Sequence, residues 1–394
     1  MADHSSSSIS NSESLSIAPH VEPGLTKRRV LAACVFALVG LVMIDIGIGL
    51  LFRMPTSPQT VPNALQQYFD YGRSVESKLR RMIGATTENT ALIAKAGWLD
   101  EQTRVFSAPL PGKIHIAVYG QSFAFRMTEA LELLDSRFQV VATPGGPAAP
   151  LSHSYAAYRA DTGKNLPDIV IIGVLASSLR NVLSLTNMTS AFAAPAPYTY
   201  PRYRLENGSL VTVEPRVRSL LDLRRALNEP ETWMAFIEQL RAEDLAFDPL
   251  LFESDMLDHS SLARLARRAY GQRRIKLLEQ RYHGKNGFSN NDGLLDVSKA
   301  ILGDIASIAE ERGQLVYLLL IDDKGFENHL VNALGTFLDA RRIPYFSTDV
   351  LAPATDARTF VADGHFRSDV NATLAKALRD DLLAKWLSQS RRFP

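Results

Sequence analysis

Ser122 and His365 are the side chains whose chemistry and setting pair most strongly in this chain. A serine hydroxyl becomes a nucleophile when a histidine takes its proton, and a carboxylate that orients the imidazole completes the set. Gly120-Gln121-Ser122 follows the apolar, β-branched run from Lys113 to Tyr119, and helical spacing continues from Phe123 to Leu134. Ser122 is therefore expected at a strand-to-helix turn, at the carboxyl end of a strand, where N–H groups of the helix start can meet an oxyanion. Far along the chain, Asp363-Gly364-His365 stands just before a helical stretch from Arg367 to Leu387. His365 has the chemistry to accept the serine proton, and Asp363 to orient its ring.

These two motifs, in this order, resemble the SGNH/GDSL family of esterases and acyltransferases over roughly residues 112 to 390. The resemblance implies Ser122 as nucleophile, His365 as base and Asp363 as its carboxylate. It also implies an oxyanion hole built from the Ser122 N–H, a glycine after the second strand and an asparagine after the third. Gly145 and Gly146 both fit the glycine position, while Ser177 stands where the asparagine would fall, with Ser178 and Asn181 as substitute donors. Two further departures mark the chain. Gln121 replaces the usual aspartate of the first block, and the last block is spaced Asp-x-His instead of Asp-x-x-His. The family's chemistry implies removal or transfer of an acyl group, acetyl in the first instance, on an envelope carbohydrate or another ester. It calls for no metal or organic cofactor. The alternative is a catalytically inactive member of the same fold, a binding scaffold with protein partners in envelope polysaccharide assembly.

The positioning elements follow from the alternation of apolar runs. Strands are expected at 113–119, 138–142, 168–174, 315–321 and 343–347, most of them separated by helical segments. Such alternation reads as an α/β fold with a five-stranded parallel sheet covered on both faces. The resemblance specifies it as a three-layer α/β/α arrangement of flavodoxin-like order. An insertion from about 184 to 292 interrupts the pattern. Its Pro- and aromatic-rich start offers Tyr198, Tyr200, Arg202 and Tyr203 as lining for a substrate groove above the sheet edge, or as rings that merely pin the loop. Asn207-Gly208 followed by Ser209–Val213 predicts a hairpin. Asp322, Asp323 and His329 read as capping or solvated groups in preference to a metal set, His153 as a loop residue with a satisfied hydrogen bond in preference to a substrate contact, and His115 as a packed or edge residue of the first strand. The sequons at Asn187, Asn207 and Asn371 occur often by chance.

The 394 residues are 46% hydrophobic and 22% charged, enough for one sizeable core with an appendage. A net charge of +1 gives no basic surplus for nucleic acid. The single cysteine, Cys34, leaves the globular part without a disulfide or thiolate metal site. Residues 30–52 form one long apolar stretch with Asp45 as its sole charge, and Lys27, Arg28 and Arg29 precede it. The expectation is a single-pass helix in the cell (inner) membrane, with residues 1–29 a disordered cytoplasmic tail and the catalytic part periplasmic or otherwise extracytoplasmic. Asp45 is costly within lipid unless water or a partner reaches it. Residues 53–111 read as a linker and helical stalk packed on the domain.

Overall fold

A side-chain period of two organises the central sheet, because apolar residues on alternate positions of each strand supply two separate cores. The protein is represented by a computed structural model that describes residues 27–99, 108–143, 145–161 and 165–390. The serine-rich stretch 1–26 and the second-block Pro144 lie outside the described residues. The strands are β1 (Ile114–Tyr119), β2 (Phe138–Thr143), β3 (Ile169–Leu175), the hairpin β4 (Arg202–Glu206) and β5 (Ser209–Val213), the short pair β6 (His283–Gly284) and β7 (Gly287–Phe288), β8 (Leu315–Ile321) and β9 (Tyr345–Ser347). Five of them form a parallel sheet in the order β2-β1-β3-β8-β9.

On one face, Ile116, Val118, Ile171, Tyr317 and Leu319 pack against Ala124, Met127 and Leu131 of the helix Ser122–Leu134 and against Leu374, Leu378 and Leu382 of the helix Ser368–Ser390. On the other face, Ala117, Ile172, Val174, Leu318 and Leu320 meet residues of the helices Leu151–Ala160, Leu294–Glu311 and His329–Arg341. The fold is α/β with both sheet faces covered, which explains why β3 and β8 are buried at every position. The chain passes from β1 to β2 on one side and returns to β3 on the other. The carboxyl ends of β1 and β3 thus flank the crevice where open α/β sheets bind ligands.

A further apolar cluster lies off the sheet. Val75, Leu79 and Trp98, from the segment expected to be a stalk, are buried with Tyr198, Leu223, Trp233, Phe236 and Phe252 of the insertion. The two segments complete one another's core and belong to one unit with the sheet, from Phe52 onward. The insertion's hairpin forms at Asn207 and Gly208, with φ of 51° and 80°. Both turn positions need positive φ, which is why an Asn-Gly pair closes it.

The residues before Phe52 form a separate unit. Its helix Lys27–Leu51 contains an 18-residue window with a mean hydropathy of 2.5, has no buried residue, and carries the exposed Cys34. At 25 residues it is long and apolar enough to cross a bilayer.

Candidate active site

β1 ends at Tyr119, and Gln121 in extended backbone (φ −127°, ψ −179°) precedes the first helical residue, Ser122. The turn is tight. A Cβ at Gly145 would stand 1.9 Å from the Gly120 carbonyl oxygen, so only glycine lets the segment after β2 back onto the serine turn. The N–H groups of Ser122, Phe123 and Ala124 have no acceptor within their helix, since its first backbone bond runs from Phe125 N–H to the Gln121 carbonyl.

His365 reaches the same place from a hairpin-like loop. Phe360 and Phe366 pair across it, the Val361 N–H donates to the His365 carbonyl at 2.8 Å, and Gly364 takes φ +88° at its tip. The Ser122 Oγ and His365 Nε2 lie 2.6 Å apart, although 243 residues separate them in the chain. Phe123, the residue after the serine, stacks on the imidazole with centroids 4.8 Å apart and meets Phe366 edge-on. One ring thereby fixes the plane of the histidine and ties the two loops together.

Asp363 stands on the far side of the imidazole, with Oδ1 3.0 Å from His365 Nδ1. The same oxygen accepts the His365 backbone N–H at 3.1 Å. The side-chain contact is off the line of a hydrogen bond and acts through charge alone. The backbone N–H first, and then the imidazole, hold the Asp363 carboxyl below the usual carboxylate range. Its side chain is 60% exposed, so solvent screens much of its field.

Around this centre the remaining expected residues divide. Gly145 backs the serine turn, whereas Gly146 lies against the Tyr198 ring. Ser177 turns elsewhere: its backbone N–H donates to Asp323 Oδ1 at 3.0 Å. Burial pushes the Asp323 carboxyl up to about 6. The Ser178 hydroxyl donates to the Leu175 carbonyl at 3.1 Å. Asn181 is buried in the following turn, and its carbonyl accepts the Ser184 N–H. The expected oxyanion donor at Ser177 is thus engaged by an acid that the sequence alone did not link to it.

The proposed groove aromatics are core residues. Tyr198, Tyr200 and Tyr203 are buried, and Arg202 donates to the Glu243 carbonyl at 2.6 Å. Their setting favours packing because each ring finds apolar neighbours and each Tyr198 or Tyr200 hydroxyl a partner. The Tyr198 hydroxyl donates to the Pro147 carbonyl at 2.7 Å, while Asn187 Nδ2 donates to the Ala148 carbonyl and to the Tyr198 oxygen, both at 2.9 Å. The insertion therefore braces the glycine loop from behind. His153 is buried beside Tyr198, with Nε2 2.8 Å from the Gly97 carbonyl, and His115 is buried in β1.

Asp322 ends β8 and accepts the Leu330 N–H at 3.1 Å, capping the helix His329–Arg341. Its other oxygen has no hydrogen-bond partner, and burial, with Asp349 and Asp323 nearby, pushes its carboxyl up to about 8. His329 pairs with His283 at 2.7 Å. No group of three or more possible metal ligands occurs among the described residues. Sequence reading also missed Gln121 as a buried group. Its side-chain amide is fully enclosed with no hydrogen-bond partner, and its oxygen sits beside Gly173.

No family model matches the chain, and neither a curated protein nor a solved structure is significantly similar to it.

Proposed function

We propose that this chain is a membrane-anchored serine esterase or acyltransferase of SGNH type, and the observation that carries the reading is the 2.6 Å approach of His365 Nε2 to Ser122 Oγ. An acidic residue on the far side of the ring and the N–H groups at the helix start, which have no acceptor within the helix, support it. In the proposed mechanism, Ser122 Oγ attacks the ester carbonyl as His365 Nε2 takes its proton. The tetrahedral oxyanion is met by the Ser122 N–H and by Gly145 behind the turn. His365 then returns the proton to the departing alcohol, leaving an acyl-serine. Water completes hydrolysis, whereas a sugar hydroxyl completes transfer, with the proton again passing through His365. Asp363 stabilises the imidazolium through its charge. The reading extends to an acetylated envelope carbohydrate as substrate and to a domain held outside the cytoplasm by the Lys27–Leu51 helix.

One observation favours a second reading, a binding protein that has lost catalysis. The Ser177 N–H is committed to Asp323, which draws the third-strand position away from an oxyanion. Labelling with a serine-reactive fluorophosphonate separates the two. The catalytic reading expects stoichiometric label on Ser122 and none in Ser122→Ala. Absence of label from the folded wild-type protein leaves the binding reading standing.

A further inference from the structure

A cavity of about 290 Å³ opens beside the segment that follows the apolar helix. Met54, Pro55, Pro58, Pro62, Met82 and Ile93 supply most of its apolar wall. Its polar wall holds Asp70, Arg81 and Lys78, and these are already paired: Asp70 with Arg73, Arg81 and Arg264, and Lys78 with the Tyr71 and Phe192 carbonyls. The space is at the small end of ligand pockets, which run from about 300 to 1,000 Å³. It suits one apolar chain better than a whole amphiphile.

Exposed apolar side chains adjoin the lining residues in the chain. Val61 and Leu92 are 83% and 84% exposed, and each stands between two residues that line the cavity, Thr60 and Pro62 for one, Ala91 and Ile93 for the other. Large apolar side chains are rarely left in water around a cavity without an occupant or a surface to meet them. Leu65 and Tyr68 are also exposed, on the short helix whose other side lines the cavity through Gln67 and Asp70. Between Arg53 and Trp98 the basic residues Arg53, Arg73, Lys78, Arg80, Arg81 and Lys95 outnumber the acidic Asp70, Glu76 and Glu88. Arg73, Arg80, Arg81 and Lys78 are engaged by carboxylates or carbonyls, so the charge open to an anionic lipid surface rests on the exposed Arg53 and Lys95.

Chain connectivity identifies the occupant. Met54 lies three residues beyond Leu51, so a wall of the cavity is tethered at most about 11 Å from the end of the helix. We propose that this cavity takes an acyl chain of a membrane phospholipid from the leaflet nearest the domain, with the exposed Val61 and Leu92 beside its lining residues meeting the same lipid. The inference rests on the membrane-spanning reading of the helix and is independent of the Ser122 chemistry.

The test uses the full-length protein in vesicles of phosphatidylethanolamine and phosphatidylglycerol doped with a phosphatidylcholine that carries a diazirine near its acyl terminus. After irradiation, mass spectrometry should find adducts on 54–62 and 91–93 as well as on the helix 27–51. Ala193→Trp fills the cavity from its lining and should reduce the cavity adducts to background while helix adducts persist. Ile93→Asp, at a half-exposed position, gives the same expectation should the tryptophan variant unfold, with thermal melting followed by circular dichroism as the check. Adducts confined to 27–51 overturn the proposal, as do cavity adducts that survive in a folded variant. No adducts on either segment overturn it together with the spanning helix.

Discussion

Asp363 differs from its two partners in how firmly the fold holds it. Ser122 and His365 are part-buried and locked by Phe123, whereas the Asp363 carboxylate is mostly in water and approaches the imidazole off axis. His365→Gln should abolish ester hydrolysis, because no other described base approaches Ser122 as closely. Asp363→Asn should cost much less than the roughly 10⁴-fold seen for a buried triad carboxylate, on the order of 10–100-fold in kcat. Steady-state rates on a short aryl ester measure both, and equal losses would mean that Asp363 closes in on the ring when substrate binds. The placement of the serine was legible because it is tied to a local event, the end of a β-branched run and the start of a helix. His365 was legible through its neighbour Asp363 and the helix behind it. Gln121 and Ser177 were not, because burial and a carboxylate 146 residues away decide what they do.

Strand ends and the loops between elements govern the next set of effects. Tyr198 supports the glycine loop through its hydroxyl, so Tyr198→Phe leaves the Pro147 carbonyl and Asn187 without that partner. The expected loss is about 1–2 kcal/mol of stability, read by urea denaturation, with kcat falling more than KM rises, since the tyrosine touches the loop and not the substrate. At the end of β8, Asp322 is held largely protonated by burial up to about pH 8. An unfolded aspartate ionises near 4. Between these values the native state binds more protons than the unfolded state, so this group's contribution is fully present below about pH 4 and is lost as pH rises through about 8. Asp322→Asn keeps the oxygen that caps Leu330 and should flatten the decline of unfolding free energy between pH 4 and 8, by as much as about 1.4 kcal/mol per pH unit. An unchanged slope in urea melts would assign the carboxyl an ordinary ionisation. The five strands and the Asn-Gly hairpin could be read in advance because period-two patterning and turn chemistry are local. The fate of Tyr198, Tyr200 and Tyr203 could not, since an aromatic ring looks the same in sequence whether it lines a groove or fills a core. The segment 53–99 looked like an appendage for the same reason: its apolar face is completed by residues of the insertion, far along the chain.

For the molecule as a unit, the arrangement of charge around the apolar helix sets the expected orientation. Lys27, Arg28 and Arg29 stand at one end and Arg53 alone closely follows the other, so the positive-inside rule directs the N-terminus to the cytoplasm. A reporter that is active only outside the cytoplasm should work when fused after Pro394 and fail at the N-terminus; the reverse pattern would place the Ser122 site inside. The separation of the two halves of that site has a consequence for synthesis. Ser122 leaves the ribosome early, with its turn and helix, while the loop carrying Asp363 and His365 emerges after every strand of the sheet has been made. A chain that stops before this loop therefore carries every strand of the described five-stranded sheet and, under the proposed mechanism, a serine without its base. Under the proposed mechanism, reactivity toward acyl esters is withheld until the chain through His365 has been made and its loop has folded against Ser122.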